Sequence, residues 1–150
     1  MSIINEYETT YVARPDLTDD QMTKITEKIE GVVAGGGGTI LVTEDWGKRK
    51  LAYLIERHQR GHYIYLNYCG PAPIINEVER NLRLEDNLLR FLTVKIEADV
   101  EPEARRVLAE ERRRMRIERM AALKAEEEAE ARYRAEAEEE DADLGDGLDE

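Results

Sequence analysis

Glu6 to Ala13 carries Tyr7, Thr9, Tyr11 and Val12, a short run of β-favouring side chains, and reads as a strand that Arg14-Pro15-Asp16 stops. The period then changes. Met22, Ile25, Ile29, Val32 and Val33 fall on one face of a helix. Thr18 suits its N-cap, Gln21 the reciprocal capping-box position, and Asp19 and Asp20 the positive end of its dipole. Gly35 to Gly38 ends the helix as flexible punctuation and lets the chain turn back. Thr39 to Ile55 is strand-like, interrupted at Trp46-Gly47, where glycine marks a bulge or bend. From Leu51 to Ile55 both faces are largely apolar, the pattern of a buried strand. His58 to Gly61 reads as a turn, and His62 to Cys69 as a strand dense in tyrosine. After Gly70-Pro71-Ala72-Pro73, residues Ile74, Ile75, Val78 and Leu82 give a second amphipathic helix. Asn87 to Ile96 closes the series as a strand, apolar at Leu89, Phe91, Leu92, Val94 and Ile96.

The order is strand, helix, strand, strand, helix, strand. It predicts an α+β, ferredoxin-like βαββαβ fold: a four-stranded antiparallel sheet with both helices on one face and the other face open to a partner or RNA. Beyond Pro102 the composition shifts to Ala, Arg and Glu, which favour helix, but Leu108, Met115, Met120 and Leu123 hold no clean period. Three segments follow: a domain over residues 1–101, a charged helical extension over 102–137, and an acidic tail over 138–150, expected to be disordered.

Charge sharpens this partition. The formal net charge is -12, which looks wrong for a nucleic-acid binder. The total hides a domain at -5, a basic stretch from Ala104 to Lys124 at +5, and an end from Ala125 onward at -11. Local charge must therefore decide the partner. Cys69 is the sole cysteine, so no intramolecular disulfide or thiolate cage forms, and it reads as a small buried hydrophobe. No apolar run approaches a membrane span and no basic-then-apolar leader opens the chain, which makes the cytoplasm the default and a membrane role unexpected.

The basic strand Trp46-Gly47-Lys48-Arg49-Lys50-Leu51-Ala52-Tyr53-Leu54-Ile55 is the sharpest chemical signal. Three adjacent cations repel one another and call for a counter-anion, for which a nucleic-acid phosphate serves. The plainer reading is an edge strand defended by charge. Alternation sends Arg49 to the face opposite Lys48 and Lys50 unless the Gly47 bend reorients them. Tyr63, Tyr65 and Tyr68 fill a core or a protein interface more readily than they stack bases. Trp46 suits an interface anchor. His58 and His62 read as surface histidines with no third ligand, and the glycine run lacks the Lys-Ser/Thr of a phosphate loop.

Several segments together carry a resemblance: Tyr7-Glu8 with Pro15 and Leu17, then Gly47-Lys48-Arg49-Lys50-Leu51-Ala52-Tyr53 with Ile55, Gly61 and Tyr63, and last Leu82-Arg83-Leu84-Glu85-Asp86-Asn87-Leu88-Leu89-Arg90. In this order and spacing, over about residues 5–97, the chain resembles the bacterial small-subunit ribosomal protein six family. The resemblance implies the ferredoxin-like fold read above. It also implies a structural role on the ribosome: binding the central domain of small-subunit ribosomal RNA together with small-subunit ribosomal protein eighteen. It implies no catalysis, no cofactor and no small-molecule substrate.

On that basis Lys48, Arg49 and Lys50 are the first candidates for phosphate contact, Arg as a planar fork and Lys as a point charge, with Arg49 foremost because the resembled family keeps Arg at this place. Arg83 and Arg90 flank the Glu85-Asp86-Asn87 turn and either reach RNA from one end of the domain or pair across the turn. Trp46 and Tyr53 are candidates for the protein interface. Arg105, Arg112, Arg116 and Arg119 share one helical face and either add RNA contacts or sit on a solvated helix. The acidic tail either folds back on the basic stretch, meets basic ribosomal proteins or solubilises the chain. The alternative from another class is a ferredoxin-like ligand-sensing homodimer that associates through the open sheet face.

Overall fold

The computed structural model describes residues 2–145, in two compact units that meet at Glu110/Glu111. The first unit holds β1 (Ile4–Ala13), α1 (Asp19–Gly35), β2 (Thr39–Ile55), β3 (His58–Pro71), α2 (Ile74–Leu84), β4 (Leu88–Glu97) and the opening turns of α3 (Pro102–Gly145). The strands form one antiparallel sheet in the order β2-β3-β1-β4.

Local signals start the helices where the sequence puts them. Thr18 Oγ1 accepts the Gln21 N–H at 3.2 Å while Gln21 Oε1 accepts the Thr18 N–H at 2.9 Å, a complete capping box for α1. From that start Met22, Ile25, Ile29 and Val33 turn inward, as do Ile74, Val78 and Leu82 of α2. They close on Tyr7, Tyr11 and Ala13 of β1 and Ile64, Leu66 and Tyr68 of β3. Truncating one such fully buried aliphatic costs about 2–5 kcal/mol. Inside this layer Thr9 bonds the Tyr68 hydroxyl and Thr93, both at 2.9 Å, so these hydroxyls find partners.

The glycine run is more than flexible punctuation. Gly37 adopts φ +79, open to glycine at no steric cost. A Cβ on Gly38 would stand 2.5 Å from Ile74 Cδ1 and 2.8 Å from the Val33 carbonyl oxygen. The run thus seats α1 against α2.

Between β2 and β3 the chain departs from expectation. The turn is Glu56-Arg57, with φ +48 and +68, and Ile55 pairs with His58, so His58 to Gly61 belongs to β3. This is a two-residue hairpin loop of the primed kind, built without the usual Asn or Gly. The apolar run beyond Leu51 is not buried: Leu51 is, but Tyr53 is 85% and Leu54 65% exposed. The reason is topological. β1 pairs β3 only as far as His62, so the hairpin beyond it has no third strand beside it. Lys50 pairs with Arg60 and Ile55 with His58, which leaves Leu51 to Leu54 opposite Gln59 alone.

Where the sheet ends, α3 begins. The Val100 N–H bonds the Ile4 carbonyl at 2.8 Å, and the Asp99 N–H bonds Asn5 Oδ1 at 3.1 Å. Arg105 Nη2 then reaches Glu6 Oε2 at 2.7 Å, with Glu6 fully buried, and Ala109 is buried too. The compact unit therefore extends past residue 101. In the second unit the helix is continuous through 138–145, where the sequence predicts a disordered tail; residues 146–150 of that tail lie outside the described residues.

Candidate nucleic-acid interface

Register assigns every strand side chain to a face. Tyr7, Tyr11 and Ala13 pair with Tyr68, Ile64 and His62 on the helix side. Glu8, Thr10 and Val12 therefore share the open side with Tyr63, Tyr65 and Asn67 of β3 and with Arg90, Leu92 and Val94 of β4.

On edge strand β2 a one-residue bulge resets the alternation. Asp45 pairs with Ile64 and Gly47 with Tyr63, leaving Trp46 as the extra residue, and Gly47 has φ +74. Trp46 stacks on Tyr65 with ring centroids 5.2 Å apart and planes 9° off parallel. Its indole N–H donates to Glu44 Oε2 at 2.8 Å. Below the Trp46-Tyr65 stack, the Tyr65 hydroxyl donates to Glu8. The aromatic pair is thus held by neighbours on both flanking strands.

Arg49, opposite Gly61, comes out on this same open side. Its guanidinium lies 5.4 Å from the Trp46 ring and its Nε donates to the Trp46 carbonyl at 3.3 Å. A cation over an indole at an exposed site gains about 0.5–1 kcal/mol and, more usefully here, holds the fork in one orientation. Lys48 and Lys50 pair with His62 and Arg60 and point to the other side. Beyond the bulge the three cations alternate among themselves and do not share a flat surface. All three are exposed. The ribbon from Lys48 to Arg60 carries Arg57 and Arg60 as further cations against Glu56 alone, a net of +4.

Arg90 is exposed and stands in register with Val12, which pairs with Tyr63, which pairs with Gly47. It occupies the open side on the far edge, about 14 Å from β2 at three strand spacings. Arg83 does not join it. It ion-pairs with Glu79 at 3.0 Å on its own helix and lies 5.8 Å from the Phe91 ring, on the helix side. The Asp86-Asn87 corner is shaped instead by Arg14, which bonds the Asn87 carbonyl through its backbone and Asn87 Oδ1 through its side chain at 2.6 Å. Tyr53 stands exposed on the hairpin away from Trp46's stack.

Arg105 is half-buried against Glu6, which raises its pKa by hydrogen bonding. In the second unit Arg112 and Arg119 are exposed and Arg116 half-buried, spaced to share a helical face.

His62 stands where the sequence does not point: it is buried, its Nε2 donating to Asp45 Oδ1 at 2.6 Å, rather than on the surface. Tyr65 is buried beneath Trp46, as its strand pattern leads one to expect. The signal for His62 is its place in a strand whose even-numbered members, Ile64, Leu66 and Tyr68, all face the core.

These features define a ferredoxin-like α+β domain with a basic, aromatic-backed sheet edge. A family model described as ribosomal protein S6 matches residues 6–95. Small ribosomal subunit protein bS6 of Geobacter sp. strain M21 is 46% identical over 94 residues, covering 63% of this chain and 70% of the relative. The bS6 protein of Desulforapulum autotrophicum is 37% identical over 123 residues, covering 82% and 74%. Among solved structures, 30S ribosomal protein S6 from Thermotoga maritima superposes with a TM-score of 0.60 at 21% identity, covering 62% of this chain and 88% of that one, a likeness of fold. The chain belongs to the ribosomal protein S6 family.

Proposed function

We propose that this chain is a structural component of the small ribosomal subunit that binds the central domain of its ribosomal RNA together with small-subunit ribosomal protein eighteen. It is not an enzyme, and it works on the cytoplasmic ribosome. The observation that carries the RNA reading is Arg49, held over Trp46 on an exposed ribbon of net +4 within a domain of net -5. Arg49 and Arg90 offer forks to phosphate on the open side, and Lys48 and Lys50 supply point charges at the ribbon's other face. Arg83 contributes at the periphery, its guanidinium already shared with Glu79. Arg112, Arg116 and Arg119 offer further cations on the second unit, whereas Arg105 acts mainly as Glu6's counter-ion. Trp46 and the exposed Tyr53 supply apolar area for the protein partner.

A domain of net -5 repels RNA overall, so the competent species is a preformed heterodimer with a basic partner. A salt titration of binding to the central-domain RNA, with and without protein eighteen, tests this. Binding that needs the partner and weakens with salt supports it. Equally tight binding without the partner removes the heterodimer step, and no binding under either condition favours the ligand-sensing homodimer.

A further inference from the structure

The bulge that carries Trp46 and Arg49 is tethered from the opposite face of the sheet. One oxygen of Asp45, Oδ1, accepts the Gly47 backbone N–H at 2.8 Å and the His62 Nε2 proton at 2.6 Å. His62 is itself buried on the adjacent strand. A single carboxylate oxygen thus joins the residue before the bulge, the glycine after it and the neighbouring strand.

A Cβ on Gly47 would meet nothing within 4 Å, so the glycine answers to its φ of +74 rather than to crowding. A flush register would pair Gly47 with His62 and Lys48 with Gly61, shifting everything after Trp46 by one residue. Because strand side chains alternate, that shift turns Lys48 and Lys50 to the open side and Arg49 to the helix side.

We infer that Asp45, braced by His62, is a positioning pair that selects arginine over lysine for the face shared with Trp46, Tyr65 and Arg90. The inference rests on the reading of Arg49 as a phosphate contact. Its consequence is specific. A lysine in that place is a point charge, whereas Arg49 brings a planar fork already aligned on the indole. Asp45 touches no ligand; it acts through the register.

The test uses the full chain with Asp45→Ala and Asp45→Asn. Trp46 is the sole tryptophan, so its near-ultraviolet circular dichroism and emission report the bulge directly. Affinity for the central-domain ribosomal RNA, in the presence of protein eighteen, reports the consequence. D45A is expected to keep its far-ultraviolet spectrum, lose the Trp46 signature and bind RNA about fivefold more weakly, the loss expected where lysine stands in for Arg49 and less than that of R49A. The D45A/R49A pair is expected to be no weaker than R49A alone, because both remove one contact. D45N retains an oxygen for the Gly47 N–H and is expected to recover most of both signals.

A wild-type Trp46 spectrum in D45A overturns the tether, whatever happens to RNA. An altered spectrum with losses that multiply in the double variant overturns the link to Arg49. R49A binding like wild type refutes the phosphate role, and with it the selection, while the D45A spectrum still reports separately on the tether. Should D45A fail to fold, His62→Leu, which leaves the Gly47–Asp45 bond intact, takes its place: an altered Trp46 spectrum with weaker RNA binding supports the braced pair, and a wild-type spectrum overturns it, since the pair needs His62 as its brace.

Discussion

Arg49 and its two lysine neighbours carry the same charge in different settings. Arg49 alone has its cation backed by an aromatic ring and its Nε engaged with backbone. Arg49→Lys keeps the charge and loses the fork, so RNA affinity is expected to fall about fivefold with the salt slope nearly unchanged. Arg49→Ala is expected to lower that slope by about 1 as well. A titration across salt concentrations separates the two. At the glycines the contrast is steric. Gly38→Ala drives a Cβ into Ile74 and the Val33 carbonyl, and overpacking of this kind costs about 1–3 kcal/mol. Gly31, inside α1 with nothing within 4 Å of an added Cβ, should instead gain about 0.5–1 kcal/mol on substitution by alanine. Urea midpoints for the two variants should move in opposite directions.

Elements whose signals are local were legible in the sequence. The capping box of Thr18 and Gln21, the inward face of α1 and the strand-helix order all depend on residues within one or two turns of each other, and all appear as read. The bulge at Trp46-Gly47 was legible too, because a glycine inside a strand pattern has few other meanings. The hairpin turn was not. A primed turn announces itself through Asn or Gly, whereas here Glu56 and Arg57 take positive φ, at a cost of about 1–3 kcal/mol each that the flanking strands absorb. Nor was the exposure of Tyr53 and Leu54 legible. Whether an apolar stretch is covered depends on where the neighbouring strand stops, and β1 stops at Ala13, far away in sequence. In the candidate site, the opposition of Arg49 to Lys48 and Lys50 followed from simple alternation, whereas which face Arg49 takes depends on the bulge. The parting of Arg83 from Arg90 did not, because it depends on a helix end and a strand lying on different layers. The Asp45–His62 contact was hidden for the same reason, being a pairing across strands.

For the molecule as a whole, stability should decline on the alkaline side. Burial pushes the Tyr11 hydroxyl up from 10.0 to about 12 and the Cys69 thiol up from 9.0 to about 11. Both groups stay protonated in the folded chain while the unfolded chain releases its protons, so unfolding is favoured as pH rises. The stability is intact below about pH 9 and is lost progressively between there and about pH 12. Urea unfolding across this range should show the decline, and Tyr11→Phe should flatten its upper part; an unchanged upper slope in that variant would mean another group titrates there.

The Glu6–Arg105 contact bears on which parts of the polypeptide are dispensable. By composition the C-terminal extension looks like an appendage that can be shed after Glu101. Yet that cut removes the only cation that Glu6 is paired with among the described residues, and Glu6 lies wholly inside the protein. Stranding a buried carboxylate costs about 3–5 kcal/mol, a large share of the 5–15 kcal/mol that holds a small domain together. The smallest piece able to fold independently should therefore reach at least Glu110, and a chain ending at Glu101 should melt well below one ending there. The border where composition changes and the border where folding ends lie at different residues.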